Sequence, residues 1–114
     1  MAVRFDAAAD RLARTSGVID YNASYTIMGW FMIVTDNNNY SNIFALSDNS
    51  TSNSDFLTTD ADGTTFAVGR TSGGVGTFTI NTGTALSLNT WYHGALVRDT
   101  GAGNLYAYLN GVLD

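Results

Sequence analysis

Short apolar runs, separated at regular intervals by turn-forming residues, fill most of the 114-residue chain. Clusters of Asn, Asp, Ser and Gly lie between the runs, and these residues favour tight turns. The pattern predicts eight strands, near residues 2–5, 25–34, 42–47, 56–59, 65–70, 76–81, 91–98 and 104–109. Short strands at this spacing are typical of an antiparallel β-sandwich or barrel.

The apolar residues follow two different patterns within these strands. In segment 105–109, aliphatic residues alternate with Tyr106 and Tyr108, which predicts one packed face and one wetter face. The two tyrosines could cover a neighbouring sheet, line a groove or contact another subunit. Segment 27–34 is apolar throughout, so we expect it to lie at the centre of a sheet, covered on both faces.

The composition supports an all-β chain. Glu, Lys, Gln, Pro and Cys are absent, and the first three are strong polar helix formers. The net charge of −5 disfavours nucleic-acid binding, which requires a basic surface. No apolar run is long enough to cross a bilayer, and the first residues lack a signal-peptide pattern. We therefore predict neither a nucleic-acid partner nor membrane insertion.

Two stretches near the end of the sequence resemble a known family. Residues 88–99 (LNTWYHGALVRD) and then 105–111 (LYAYLNG) are similar to the signature of laminin-G-like domains, which belong to the concanavalin A-like lectin/glucanase superfamily. Residues 3–6 (VRFD), 25–31 (YTIMGWF) and 42–46 (NIFAL) resemble earlier strands of that family, in the same order. The resemblance implies one jelly-roll β-sandwich domain over residues 1–114.

Three further expectations depend on this resemblance. The family usually continues for several strands beyond Asn110 and Gly111, so the chain is either a fragment lacking C-terminal strands or is completed by a partner at an open sheet edge. Propensity predicts a short helix at 6–14, whereas the resemblance implies a turn and a strand, which we adopt. Trp30 and Trp91 lie inside family strands, and we expect them in the core.

The carboxylates do not predict catalysis. Glucanases of the superfamily use paired Glu and Asp on one strand, and this chain has no Glu. The close pair Asp60 and Asp62 looks like a turn, and His93, the sole histidine, is expected to be a hydrogen-bonded structural residue. We therefore predict that the protein is not an enzyme.

Calcium is one candidate ligand. Asp60 and Asp62 supply oxygen ligands at a spacing that resembles the first part of a calcium loop, and Asp48 or Asp55 could assist. The alternative is that Asp62 and Gly63 simply form a turn.

A glycan is the other candidate ligand. Sugars bind where an aromatic ring packs under their apolar face and polar groups reach their hydroxyls. The loop at 36–42 offers this combination, and we predict Asn38, Asn39, Tyr40 and Asn42 as its ligand-binding residues. The alternative is that Asn and Ser fill the loop because they satisfy turn backbone.

Two functions follow from these expectations. The first is a non-catalytic lectin-like module that binds a carbohydrate or glycoprotein through its surface loops. The second is a structural, self-assembling protein of a virion or an extracellular filament. Either function places the protein outside the cell or on a virion surface.

Overall fold

The structure is a computed structural model that describes residues 23–35, 40–47, 53–60, 63–72 and 75–113. The side chains of residues 72 and 75–82 lie outside this description, as do the predicted strand at 2–5 and the segment at 6–14. The strands are β1 (Tyr25–Met32), β2 (Asn42–Ser47), β3 (Ser54–Thr59), β4 (Thr65–Ser72), β5 (Val75–Ala85), β6 (Trp91–Asp99), β7 (Asn104–Leu109) and β8 (Val112–Leu113).

These strands form two antiparallel four-stranded sheets. The first sheet has the order β1-β6-β7-β8 and the second has the order β2-β3-β4-β5. The predicted all-β sandwich is therefore confirmed, and the described residues contain no helix. In the same part of the chain, no helix could serve as a membrane span.

The turn-forming residues of the sequence predicted the ends of several strands correctly. The strands predicted at 42–47 and 104–109 match β2 and β7, whereas β5 is longer than predicted and β8 was not predicted. Asn110 and Gly111 join β7 to β8 with φ angles of 52° and 83°. Positive φ at both residues is typical of a two-residue hairpin turn, which here reverses the chain from β7 into β8.

The core lies between the inward faces of the two sheets. Its buried residues include Phe31, Leu57, Phe66, Val68, Leu96 and Leu105. Gly94 allows the sheets to approach closely, because a Cβ atom there would lie 2.8 Å from Leu57 Cδ2 and 2.9 Å from Phe31 Cε1. The second sheet thus packs directly on the backbone of β6.

The expected two-sided burial of segment 27–34 is wrong. Among the described strands β1 is the outermost of its sheet, and Met28 and Trp30 on its outward face are exposed. The prediction that Trp30 and Trp91 lie in the core is also wrong, because their exposed fractions are 66% and 51%. The alternating positions, Phe31 among them, point into the sandwich instead, so the apolar run reflects one buried face and one exposed apolar face.

Candidate ligand-binding face

Aromatic side chains cover the outward face of the first sheet. Trp30 pairs with His93, Ala95 with Tyr108, and Val97 with Tyr106. Directly paired residues of antiparallel strands point to the same side of a sheet. We use the name aromatic face for the outward surface formed by Met28, Trp30, Trp91, His93, Tyr106 and Tyr108.

The two tryptophans lie at one end of the aromatic face. Trp30 is opposite His93, and Trp91 is two residues before His93 on β6, so the two indoles are diagonal neighbours. The Trp30 ring meets the imidazole of His93 edge-on, with centroids 5.3 Å apart and an interplanar angle of 66°. Exposed indole rings keep apolar surface in water, which favours a contact that covers them.

A shallow depression of about 390 Å³ lies at the other end of the aromatic face. Its lining residues include Ser24, Thr26, Val97, Asp99, Tyr106 and Tyr108. The Asn104 amide donates a hydrogen bond of 3.1 Å to the Tyr106 hydroxyl, and Asp99 Oδ1 accepts from the backbone N–H of Gly101 at 2.9 Å. The face thus combines an indole platform with a depression rich in hydroxyl groups.

The structure brings together two of the predicted site residues, Tyr40 and Asp60. The negative charge of Asp60, and then a hydrogen bond between the two side chains, raise the pKa of the exposed Tyr40 hydroxyl. The Thr59 N–H donates to the Ser41 carbonyl and the Ser41 N–H donates to Thr59 Oγ1, each at 3.0 Å, which holds these segments side by side. A glycan candidate and a calcium candidate therefore lie together where β2 begins and β3 ends.

The structure describes only some of the other residues predicted for the glycan and calcium sites. Asn42 is exposed on β2, opposite Thr58, whereas Asn38, Asn39, Asp48 and Asp62 lie outside the described residues. Asp60 begins a turn, since its carbonyl accepts a hydrogen bond of 2.8 Å from the N–H of Gly63. The described part of the chain contains no group of three His, Cys, Asp or Glu residues suited to a metal ion.

Asp55 has a different role from the calcium ligand that we expected. Its carboxylate is fully buried, where Oδ1 accepts from Arg70 Nε at 2.7 Å and Oδ2 accepts from Arg98 Nη1 at 3.0 Å. The Tyr25 hydroxyl also donates to Oδ2. Two guanidinium groups at the carboxylate repel a cation, so these contacts disfavour the calcium role predicted for Asp55.

This polar cluster joins the two sheets. Asp55 and Arg70 lie on the second sheet, and Tyr25 and Arg98 on the first. Burial by itself raises the pKa of Asp55, but the hydrogen bonds from Arg70, Tyr25 and Arg98 outweigh it and hold the pKa below its ordinary value. Burial, followed by the hydrogen bond to Asp55, raises the pKa of Tyr25.

The sequence reasoning missed the aromatic face because it placed both tryptophans in the core. The sequence did contain evidence for an outward face. Trp91 and His93 are two residues apart on one strand and so lie on the same side of it, and a polar residue there indicates that this side faces outward. His93 itself packs against Trp30, and its backbone N–H donates to Asn110 Oδ1 at 3.0 Å.

Comparison with known proteins supports the fold. The sequence model of one family, described as the concanavalin A-like lectin/glucanases superfamily, matches residues 6–114. Searches of curated proteins and of solved structures found no match.

Proposed function

Because the chain belongs to the laminin G-like domains of the concanavalin A-like lectin/glucanase superfamily, we propose that it is a non-catalytic, lectin-like module whose aromatic face binds carbohydrate. The exposure of Trp30 and Trp91 on one sheet face is the observation that carries this proposal. A sugar ring presents C–H groups on one face and hydroxyls at its edge, which suits an indole platform beside polar groups.

The loop edge formed by Tyr40 and Asp60 is a second proposed contact for the glycan. Its phenol and carboxylate are adjacent, and both can hydrogen bond to sugar hydroxyls. Asn38 and Asn39 precede Tyr40 in the sequence and Asn42 begins β2, and calcium held by Asp60 and Asp62 would coordinate sugar hydroxyls there. Glycan binding measured with and without calcium would distinguish direct hydrogen bonding by these side chains from a contribution of bound calcium.

A glycan array tests the proposal. We expect binding that is lost in Trp30→Ala and Trp91→Ala and retained in Leu88→Ala, which removes an exposed apolar side chain outside the aromatic face. Loss in Tyr40→Ala with retention in both tryptophan variants would instead place the site on the loop edge. An array without binding, with or without calcium, would refute the carbohydrate function.

A structural, self-assembling role is the second candidate, and β8 is the observation that favours it. Val112 and Leu113 are 69% and 55% exposed on the last described strand of the first sheet. An edge strand with exposed apolar residues can pair with a strand of another copy. Light scattering that shows an oligomer resistant to dilution, and a monomer for Val112→Asp, would support assembly.

Both roles agree with a location outside the cell or on a virion surface. Laminin G-like domains are usually extracellular. Fractionation of the source, followed by detection of the protein with an antibody, tests this location.

A further inference from the structure

We infer that the ligand of the aromatic face is an uncharged, linear glycan chain that lies along β1 and β6 and contacts both the tryptophan platform and the depression. This inference rests on the proposed carbohydrate function and specifies the class of carbohydrate. Two independent observations support it, the distribution of charge and the extent of the face.

The charges of the described residues disfavour an anionic glycan. Arg70 and Arg98 are the arginines in the described ranges, and both donate hydrogen bonds to the buried Asp55. Arg98 also lines the depression, but its Nη1 is directed at Asp55 inside the sandwich. The chain has no Lys and carries a net charge of −5. A sulfated or uronic-acid chain would therefore meet little positive charge from the described residues of this surface.

One oxygen of the Asp99 carboxylate, at the depression end of the aromatic face, already accepts hydrogen bonds from the protein. Asp99 Oδ1 accepts hydrogen bonds from the N–H groups of Gly101 and Ala102 at 2.9 and 3.2 Å. Ser24 Oγ is hydrogen bonded to Thr100, so the described groups at this end that can recognise a ligand include the hydroxyls of Tyr106 and Tyr108. Neutral hydroxyls on the protein match the neutral hydroxyls of a sugar.

The extent of the face requires more than one sugar unit. Trp91 begins β6 and Val97, in the depression, is six residues further along it. Six residues of an antiparallel strand span about 20 Å. Met28 and Tyr108 both lie beside Ala95, between the two ends, so the outward surface is continuous. A linear chain can contact both ends at once, whereas a single sugar ring can contact only one.

Calorimetry with neutral oligosaccharides of increasing length tests the inference. The probes are cello-, xylo- and manno-oligosaccharides from monosaccharide to hexasaccharide, with heparin and alginate as anionic probes. We expect affinity to rise with length for a neutral series, and to exceed that for either polyanion at physiological salt.

Variants at the two ends make the test specific. Trp91→Ala should weaken binding of every bound length, whereas Tyr106→Ala should weaken the hexasaccharide about tenfold and leave the disaccharide unchanged. Tyr106→Phe keeps the ring and separates packing from hydrogen bonding. Equal melting temperatures for the variants and the parent protein would exclude loss of folding as the cause.

The outcomes distinguish this inference from the proposed function. A monosaccharide that binds as tightly as the hexasaccharide, or a clear preference for heparin or alginate, would overturn the inference while leaving a carbohydrate-binding module. Failure of every probe here and of every glycan on the array would overturn both.

Discussion

Asp55 and Arg98 belong to different sheets, yet Asp55 Oδ2 accepts a hydrogen bond of 3.0 Å from Arg98 Nη1 inside the sandwich. Arg70, the neighbour of Asp55 on β4, contacts Oδ1 of the same carboxylate at 2.7 Å. Cations from both sheets therefore share one buried carboxylate. This arrangement stabilises their relative position, because removing one member of a buried ion pair leaves an uncompensated charge.

We expect Asp55→Ala to lower the free energy of unfolding by about 3–5 kcal/mol, since two guanidinium groups lose their counter-charge. Urea denaturation followed by circular dichroism measures the change. Asp60→Asn is the matched control, because it alters a carboxylate paired with the exposed Tyr40 and should cost under about 1 kcal/mol. Equal losses for the two variants would contradict the interpretation.

The stability of the protein should depend on Asp55 in acid. The folded-state pKa of Asp55 lies below its ordinary value of 3.8, so its contribution is complete above that pH and is lost as the pH falls through the folded-state pKa. We expect the unfolding free energy of the parent protein to fall more steeply below about pH 4 than that of Asp55→Asn. Unfolding free energies that fall equally steeply for the two proteins below about pH 4 would contradict this role of Asp55.

Tyr25 should make the stability of the protein depend on pH in alkaline solution, where the free energy of unfolding falls as the pH rises. Its pKa in the folded protein is raised above the ordinary value of 10.0, so its contribution is complete below that pH and is lost as the pH rises further. Tyr25→Phe should cost about 1.5–3 kcal/mol at neutral pH, the range for hydrogen bonds to charged groups. The difference from the parent protein should shrink above pH 10, which alkaline urea titrations can measure.

Gly94 tests the contact between the sheets. A Cβ atom at this position would lie 2.8 Å from Leu57 Cδ2, so Gly94→Ala should destabilise the protein by about 1–3 kcal/mol through overpacking. Gly101→Ala is the control, because Gly101 is exposed and its nearest atom, Asp99 Oδ1, would lie 3.3 Å away. Thermal unfolding of the two variants distinguishes a crowded core position from an ordinary loss of glycine.

Trp30 and Phe66 should respond very differently to truncation. Phe66 is fully buried, and Phe66→Ala should cost about 3–5 kcal/mol. Trp30 is exposed, so Trp30→Ala removes mainly the edge contact with His93 and should cost about 0.2–1 kcal/mol. A cost for Trp30→Ala as large as that for Phe66→Ala would show that the aromatic face is covered in solution.

Much of the fold was predictable because it depends on local chemistry. Asn and Gly residues adopt the positive φ angles that hairpins need, and this placed the turn at Asn110 and Gly111. The alternation of Leu105, Ala107 and Leu109 with tyrosines correctly separated the two faces of β7. The candidate site was less predictable: among the predicted ligand residues that the structure describes, Tyr40 and Asp60 contact each other, whereas Asp55 is buried between the sheets.

The sequence alone determined most of the described strands and turns, because alternation and turn propensity act between neighbouring residues, and the family resemblance added the sandwich. Only the tertiary structure decided that Trp30 and Trp91 face outward and that Asp55 faces inward. The reason is physical: a side chain's polarity does not fix which side of a strand it occupies. That choice depends on partners distant in sequence, such as Arg98 for Asp55 and Phe66 for Phe31.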